Sequence, residues 1–133
     1  MSAANVAVVG ECLDAWNRAD YDAWARRAHP DVEYFSAITR LTAGHDTAFS
    51  GAEEMRRFWE EWHALWDLRI DITSIRDLGE KVLALGSITT RGKASGVELC
   101  SPVGCIFEFD EDLFRWVTTY LDRGEALTAA GAE

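Results

Sequence analysis

The chain has 133 residues, 48% of them hydrophobic and six of them Trp, which is enough to bury a core and excludes a disordered chain. Thirteen Lys and Arg against 23 Asp and Glu give a formal charge of −10. That excess of acid argues against nucleic acid and against an anionic membrane as partners.

The first ten residues carry no Lys or Arg and no long apolar run, so a secretory signal is not expected. Nor does any apolar stretch reach the ~18 residues of a membrane span. Cys12, Cys100 and Cys105 are odd in number and form no CxxC unit. Cys100 and Cys105 fall five apart on one strand and therefore point to opposite faces. Free thiols in a cytoplasmic protein, with no zinc site, are the expectation.

Val6, Val9, Leu13 and Trp16 recur at helical spacing and predict a first helix with one inward stripe. Residues 17–20 break that pattern, and Asp20 is placed to cap a short second helix holding Trp24. His29-Pro30 should end it. A short strand is predicted over 32–37, followed by a loop over 39–49 that brings His45 near one end of the fold.

Ser50-Gly51-Ala52-Glu53 has the form of a capping box and opens the strongest helix. Met55, Phe58, Trp59, Trp62 and Trp66 make its apolar face. Glu53–Arg57, Arg56–Glu60 and Arg57–Glu61 are oppositely charged pairs four apart on the other face. The Trp row at this spacing fits a core, and it can also stack an aromatic ligand.

Leu68, Ile70 and Ile72 alternate with Arg69, Asp71 and Thr73, the period of a half-buried strand. A turn at Asp77-Leu78-Gly79-Glu80 leads into a central strand over 81–91, apolar on both faces at its start. Residues 92–96 are a flexible connection. A long strand over 97–109 contains Pro102, which calls for a bulge or an edge. Asp110-Glu111-Asp112 turns the chain into a last strand over 113–121, and a short helix closes it over 122–130. Sequential strands with short turns, preceded by helices, make one α+β domain over residues 1–133 with a mainly antiparallel sheet.

Two segments resemble a known family. Ala15-Trp16-Asn17-Arg18-Ala19-Asp20-Tyr21-Asp22-Ala23-Trp24, running on to His29-Pro30-Asp31-Val32-Glu33-Tyr34, is the first. Tyr120-Leu121-Asp122-Arg123-Gly124-Glu125-Ala126-Leu127 is the second. Together they resemble the SnoaL-like polyketide cyclases of the nuclear-transport-factor-2-like superfamily, which also holds the ketosteroid isomerases. The resemblance implies a conical, barrel-like domain. Its curved, mixed and mainly antiparallel sheet would wrap around the N-terminal helices and one long helix. It also implies a homodimer, and it places the loop of His45 near the mouth of the cone. The family usually has Gly in the turn that here reads Asp110-Glu111-Asp112.

In the register set by Asp20, Cys12 stands where ketosteroid isomerases carry an oxyanion-hole tyrosine, and Ser36 where they carry the base. Counting back from Tyr120 puts Cys105 at the second oxyanion acid. A carboxylate base and acidic donors are what that proton transfer needs, and none of the three positions supplies one. Polyketide cyclases use an inward carboxylate. Of the strand acids Glu33, Asp71, Glu98 and Glu108, alternation turns most outward and leaves Glu98 the best candidate. Relatives of limonene epoxide hydrolase need two inward acids bridged by Arg; Arg91, Arg115 and Glu98 are part of such a set, without a second acid. Glu98, His45 and Arg115 are therefore the catalytic candidates. His29, His45 or His63 can approach a thiol in space, but neither Cys12 nor Cys105 has a His neighbour in sequence.

The expected pocket lining is Cys12, Trp16, Ser36, Trp59, Trp62, Val103, Cys105, Phe107, Val117, Thr119 and Leu121, an apolar wall with a few polar groups. It suits an isomerase, cyclase or hydratase acting on an apolar cyclic or carbonyl compound without a cofactor or metal. The alternative is a non-catalytic ligand-binding or dimerising module whose cone is filled by aromatic side chains. The last strand alternates Arg115, Val117, Thr119 and Leu121 with Phe114, Trp116, Thr118 and Tyr120. One set faces the helices, and the other is too aromatic to leave in water, so a homodimer through the outer sheet face is expected.

Overall fold

A curled, unclosed sheet of six strands is the frame, in the order β2-β1-β6-β5-β4-β3. The structure is a computed structural model describing residues 2–132. Helices α1 (Ser2–Asn17) and α2 (Tyr21–Ala25) lead into β1 (Ala28–Ser36), α3 (Thr39–Ala43), β2 (Thr47–Ser50) and α4 (Ala52–Leu65). Strands β3 (Trp66–Asp77), β4 (Lys81–Gly92), β5 (Glu98–Asp110) and β6 (Leu113–Tyr120) follow as a meander, and α5 (Arg123–Ala130) closes the chain. All neighbouring strands are antiparallel except β1 and β6, which run parallel. No helix among the described residues is long and apolar enough to cross a membrane.

Helices α1, α2 and α4 pack into the hollow of the sheet. Val8, Val9, Cys12, Leu13 and Trp16 carry the buried stripe of α1, while Val6 is half-buried. Asp20 caps α2 as expected, its carboxylate accepting from the Ala23 N–H at 3.1 Å. His29-Pro30 does not end that helix, which stops at Ala25. Pro30 lies instead within β1, where pairing to β6 shifts register between Ala28 and Glu33, so no ladder bond is lost there.

The segment 39–49 is not a loop. It forms α3, closed by Gly44 in a left-handed conformation (φ 83°), and then the edge strand β2. Four residues of β2 pair with β1 from Glu33↔Ser50 to Ser36↔Thr47, a stabilisation from outside the segment that local periodicity does not record. The capping box does not form either. Gly51 is the cap residue of α4 at φ 83°, and Glu54 rather than Glu53 reaches back, accepting from the Ser50 N–H at 3.1 Å. Trp66 belongs to β3 and not to the apolar face of α4. Of the three spaced charge pairs, Arg56–Glu60 closes at 3.9 Å, and Arg56 also ties α4 to α2 through Asp22 at 2.8 Å.

Strand β4 is interior, with Val82, Leu83, Ala84 and Leu85 all fully buried. Its neighbour β3 bulges between Ile72 and Ser74, opposite Gly86. A Cβ at Gly86 would lie 2.0 Å from the Asp71 carbonyl oxygen, so glycine is required at this close approach. Pro102 sits in an unbroken β4–β5 ladder, paired with Ser87. Pairing to β6 begins only at Gly104↔Tyr120, so Pro102 has edge character on that side. Helix α5, capped by Asp122 on the Glu125 N–H at 2.9 Å, covers the outer face of β4 and β5. There Ala126 packs with Leu83, Leu85 and Ile106.

The β5–β6 hairpin turns through Glu111 and Asp112 between the paired residues Asp110 and Leu113. Glu111 adopts φ 58°, a left-handed conformation that a side chain disfavours by about 1 kcal/mol. Glu111→Gly should therefore stabilise the protein by about 0.5–1 kcal/mol. A urea titration checks this, and a loss of stability would mean that the Glu111 side chain makes a compensating contact.

Candidate functional site

The interior of the cone is an aromatic lattice. Trp59, at 2% exposure, lies between the rings of Trp16 (4.9 Å), Tyr21 and Trp24 (both 5.5 Å), and His63 stacks on it at 4.5 Å. Trp16 meets Trp62 edge-on at 5.2 Å, and Phe114 bridges Trp24 and Phe107. Of the expected lining residues, Cys12, Trp16, Ser36, Trp59, Trp62, Val103, Cys105, Phe107, Val117 and Thr119 are buried, while Leu121 is half-buried. Cys12, Trp16, Trp59, Trp62, Val103, Cys105, Phe107 and Val117 come together in one packed core with Leu121 against it, while Ser36 and Thr119 line a cleft of 410 Å³ between β1, β2 and β6.

One cluster of buried polar groups lies between β1 and β6. On β1 and β6 the Thr119 hydroxyl donates to Ser36 Oγ at 3.4 Å and accepts from the Ala37 N–H at 3.1 Å. Tyr34, two residues before Ser36 and on the same face, joins them. Burial pushes the Tyr34 phenol up, nearby Cys105 adds to the rise, and the Ser36 and Thr119 hydroxyls oppose it. Burial likewise pushes the Cys105 thiol up to about 12, and burial followed by the Glu11 charge does the same at Cys12. These groups remain protonated at neutral pH and are neither bases nor nucleophiles. Cys100 by contrast is exposed. A thiol reagent such as Ellman's should modify Cys100 in the native protein and release the other two thiols only on unfolding. Fast native labelling of more than one thiol would contradict the packing.

The three catalytic candidates do not converge. Glu98 is exposed at the start of β5, opposite Arg91 on β4. His45 is exposed between α3 and β2, its Nδ1 donating to the Asp46 carbonyl at 3.0 Å. Arg115 is the extra residue of a bulge, because Glu108 pairs with Trp116 while Phe109 pairs with Phe114. That bulge breaks the expected alternation at the start of β6 only, since Val117 and Thr119 keep their inward positions. Phe114 joins the core, and Arg115 turns to the outer face, where it donates to the Asp31 carbonyl and to Glu33 Oε2 at 3.1 Å. Arg115 also lies over the Trp116 ring at 4.8 Å. His29 is elsewhere again, 3.5 Å from Asp110.

One concave feature with an aromatic wall is a cleft of 340 Å³ between α3, β2 and α4. Phe49 and Phe58 stack at 3.8 Å along its side, and Phe58 meets Trp62 at 4.7 Å. Thr39, Thr42 and Thr47 line the opposite wall, and Glu61 stands at the rim. Trp62 is buried, yet its indole N–H has no hydrogen-bond partner. Thr39 is already engaged with the His45 carbonyl at 2.8 Å and with Thr47 at 3.0 Å. Of these residues the expected pocket lining held Trp62 alone, and Phe58 was placed only on the apolar face of the helix. Glu61 was read only as a charge partner of Arg57, and Phe49 fell in a segment without visible period.

A curled, unclosed sheet with three helices packed in its hollow is the cone-shaped α+β fold of nuclear-transport-factor-2-like proteins. The chain belongs to the SnoaL-like domain family, which matches residues 9–118. No curated protein matches it. Among solved structures it is similar to a nuclear-transport-factor-2-like protein of unknown function from Burkholderia pseudomallei. That pair has a TM-score of 0.78 and 17% identity over 94% of this chain and 95% of that one. A proposed polyketide cyclase from Xanthomonas campestris has a TM-score of 0.75 and 18% identity over 97% and 98%. TerC, crystallised with polyporic acid, has a TM-score of 0.77 and 12% identity over 96% and 98%. At such identities the likeness is one of fold.

Proposed function

We propose that this SnoaL-like domain binds a flat, apolar, ring-bearing carbonyl compound in the cleft between α3, β2 and α4 and moves a proton next to the carbonyl, as an isomerase or cyclase would. The observation that carries this reading is the unpartnered indole N–H of buried Trp62 beside the Phe49–Phe58 stack. A buried donor without an acceptor costs about 1–3 kcal/mol, and a ligand carbonyl that displaced the atoms now covering the Trp62 N–H would remove that cost. Phe49 and Phe58 offer a ring face, and Glu61 is the carboxylate at the rim. In this assignment Glu61 is the base and Trp62 the donor to the developing enolate oxygen. No cofactor enters the step.

A bicyclic ketone such as 2-tetralone provides the test. The protein should bind it and accelerate exchange of its α-protons with deuterium oxide, as followed by proton NMR. Glu61→Gln should bind it equally and lose the exchange. Failure of the unaltered protein to bind any apolar ring compound would end this reading.

The aromatic filling of the cone favours a second reading, a non-catalytic binding module. Binding without exchange, unchanged in Glu61→Gln, would establish it. In either case we place the domain in the cytoplasm, where its free thiols would persist. We assign it a homodimer through the outer faces of β1 and β6, where Phe35 and Trp116 remain 45% and 37% exposed. Sedimentation at micromolar concentration tests the dimer, and a monomer there rejects it.

A further inference from the structure

Phe35 leaves 45% of its surface in water, although Phe is among the residues most often covered. Its neighbours Tyr34 and Ser36 are buried, so the ring stands on the outer face of β1, beside Ala48 of β2 and Thr118 of β6. Half-buried Tyr120 follows two residues along β6 on the same face. These four side chains form the floor of the 410 Å³ cleft. Arg40 of α3 and Asp46, just before β2, line it on the β2 side, and Glu125 in the first turn of α5 lines it on the β5 side.

The charges around this floor do not cancel. Arg40 donates to both carboxylate oxygens of Asp46, from Nε and from Nη2, the latter at 3.1 Å, so its guanidinium is engaged. Glu125 is exposed and its carboxylate forms no ion pair with another described residue. Its charge nevertheless reaches both neighbours. Asp46 first and Glu125 after it hold the Arg40 proton more firmly, while Tyr120 is raised by burial, then by Glu108 and Glu125. One guanidinium against two carboxylates leaves the cleft with one net negative charge above two aromatic rings. An anion would meet Glu125 and find Arg40 occupied. A hard metal ion needs a shell of oxygens, and no metal-holding cluster is present among the described residues.

We propose that this outer cleft binds a small organic cation, an alkylated ammonium, with its head on the Phe35 and Tyr120 rings and Glu125 as its counter-ion. The face of an aromatic ring carries negative charge and attracts such a head, which has methyl groups in place of N–H donors and so needs no acceptor. The open cleft leaves the rest of the ligand in water. The site is separate from the cleft that carries the proposed function, although Thr47 lines both. In the 2-tetralone experiment Glu61 is the reporter, and here it is Glu125, so the two readings fail independently.

The experiment is a titration of the ¹⁵N-labelled protein with choline and, separately, with 3,3-dimethylbutan-1-ol, which has the same shape with carbon in place of the charged nitrogen. The amide signals of Phe35, Thr118 and Tyr120 are followed. Choline should shift them saturably at millimolar concentration and bind about tenfold more tightly than the alcohol. Glu125→Gln should weaken choline about fivefold and leave the alcohol unchanged, and added salt should act in the same direction. Equal binding of choline and the alcohol overturns the proposal, as does a choline affinity that Glu125→Gln does not alter. Phe35 also belongs to the face assigned to the homodimer. A dimer that seals the cleft would give no saturable shift, and that result too ends the proposal. Should Glu125→Gln not fold, the choline-to-alcohol ratio in the unaltered protein decides alone.

Discussion

Trp59→Ala should lower the stability of the domain by about 3–5 kcal/mol, as large aromatic truncations in a packed core do. That approaches the whole stability of many small domains. Trp59 touches four aromatic rings drawn from α1, α2 and α4, so the cavity left behind has rigid walls on several sides and cannot collapse easily. Urea denaturation followed by circular dichroism measures it, and a loss below about 1 kcal/mol would take Trp59 out of the core. Trp59 does not line the cleft between α3, β2 and α4, so any accompanying loss of ligand affinity must come through displaced Trp62 or His63.

Alkaline pH should unfold the protein steeply. In the unfolded chain the thiols of Cys12 and Cys105 lose their protons near 9, whereas burial holds both to about 12 in the folded state. Between those values the unfolded state binds fewer protons, so stability is intact below about pH 9 and falls as pH rises toward 12. Two such groups give a slope of about 2.7 kcal/mol per pH unit once the unfolded thiols are ionised. Tyr34, also raised by burial, adds to the slope from about pH 10. Denaturant midpoints measured from pH 8 to 11 test this. Cys105→Ala should remove about half of the thiol contribution, and a flat profile would mean that both thiols reach water in the folded state.

Much of the architecture was legible because it is written in local periods. The alternation of Leu68, Ile70 and Ile72, the doubly buried start of β4 and the cap at Asp20 all appear where the residues put them. What failed was structure imposed from elsewhere in the fold. Four residues of β2 are a strand because β1 lies beside them, and the Arg115 bulge depends on pairing to β5. The bulge alone moved Phe114 inward and a candidate arginine outward, since one extra residue exchanges the two faces of a strand.

The buried members of the site were also readable, because inward positions on a strand or helix follow from spacing. Tyr34 could have been added by counting two residues back from Ser36. The cleft itself was not readable. Whether Trp62 and His63 find hydrogen-bond partners depends on three-dimensional packing, and sequence reports only that such groups exist.

The parallel pairing of β1 with β6 sets Glu33 beside Trp116, 83 residues away along the chain. Strands β3 to β6 can zip as successive hairpins, whereas β1 has no place in the sheet until β6 has been formed. The β1–β2 arm must therefore join last, after a long loop has been closed at an entropic cost. Refolding should be slow for a domain of this size. A ribosome-bound chain still lacking β6 would hold Tyr34 and Ser36 without their β6 partners Val117 and Thr119, an exposed arm during synthesis that a chaperone is suited to cover.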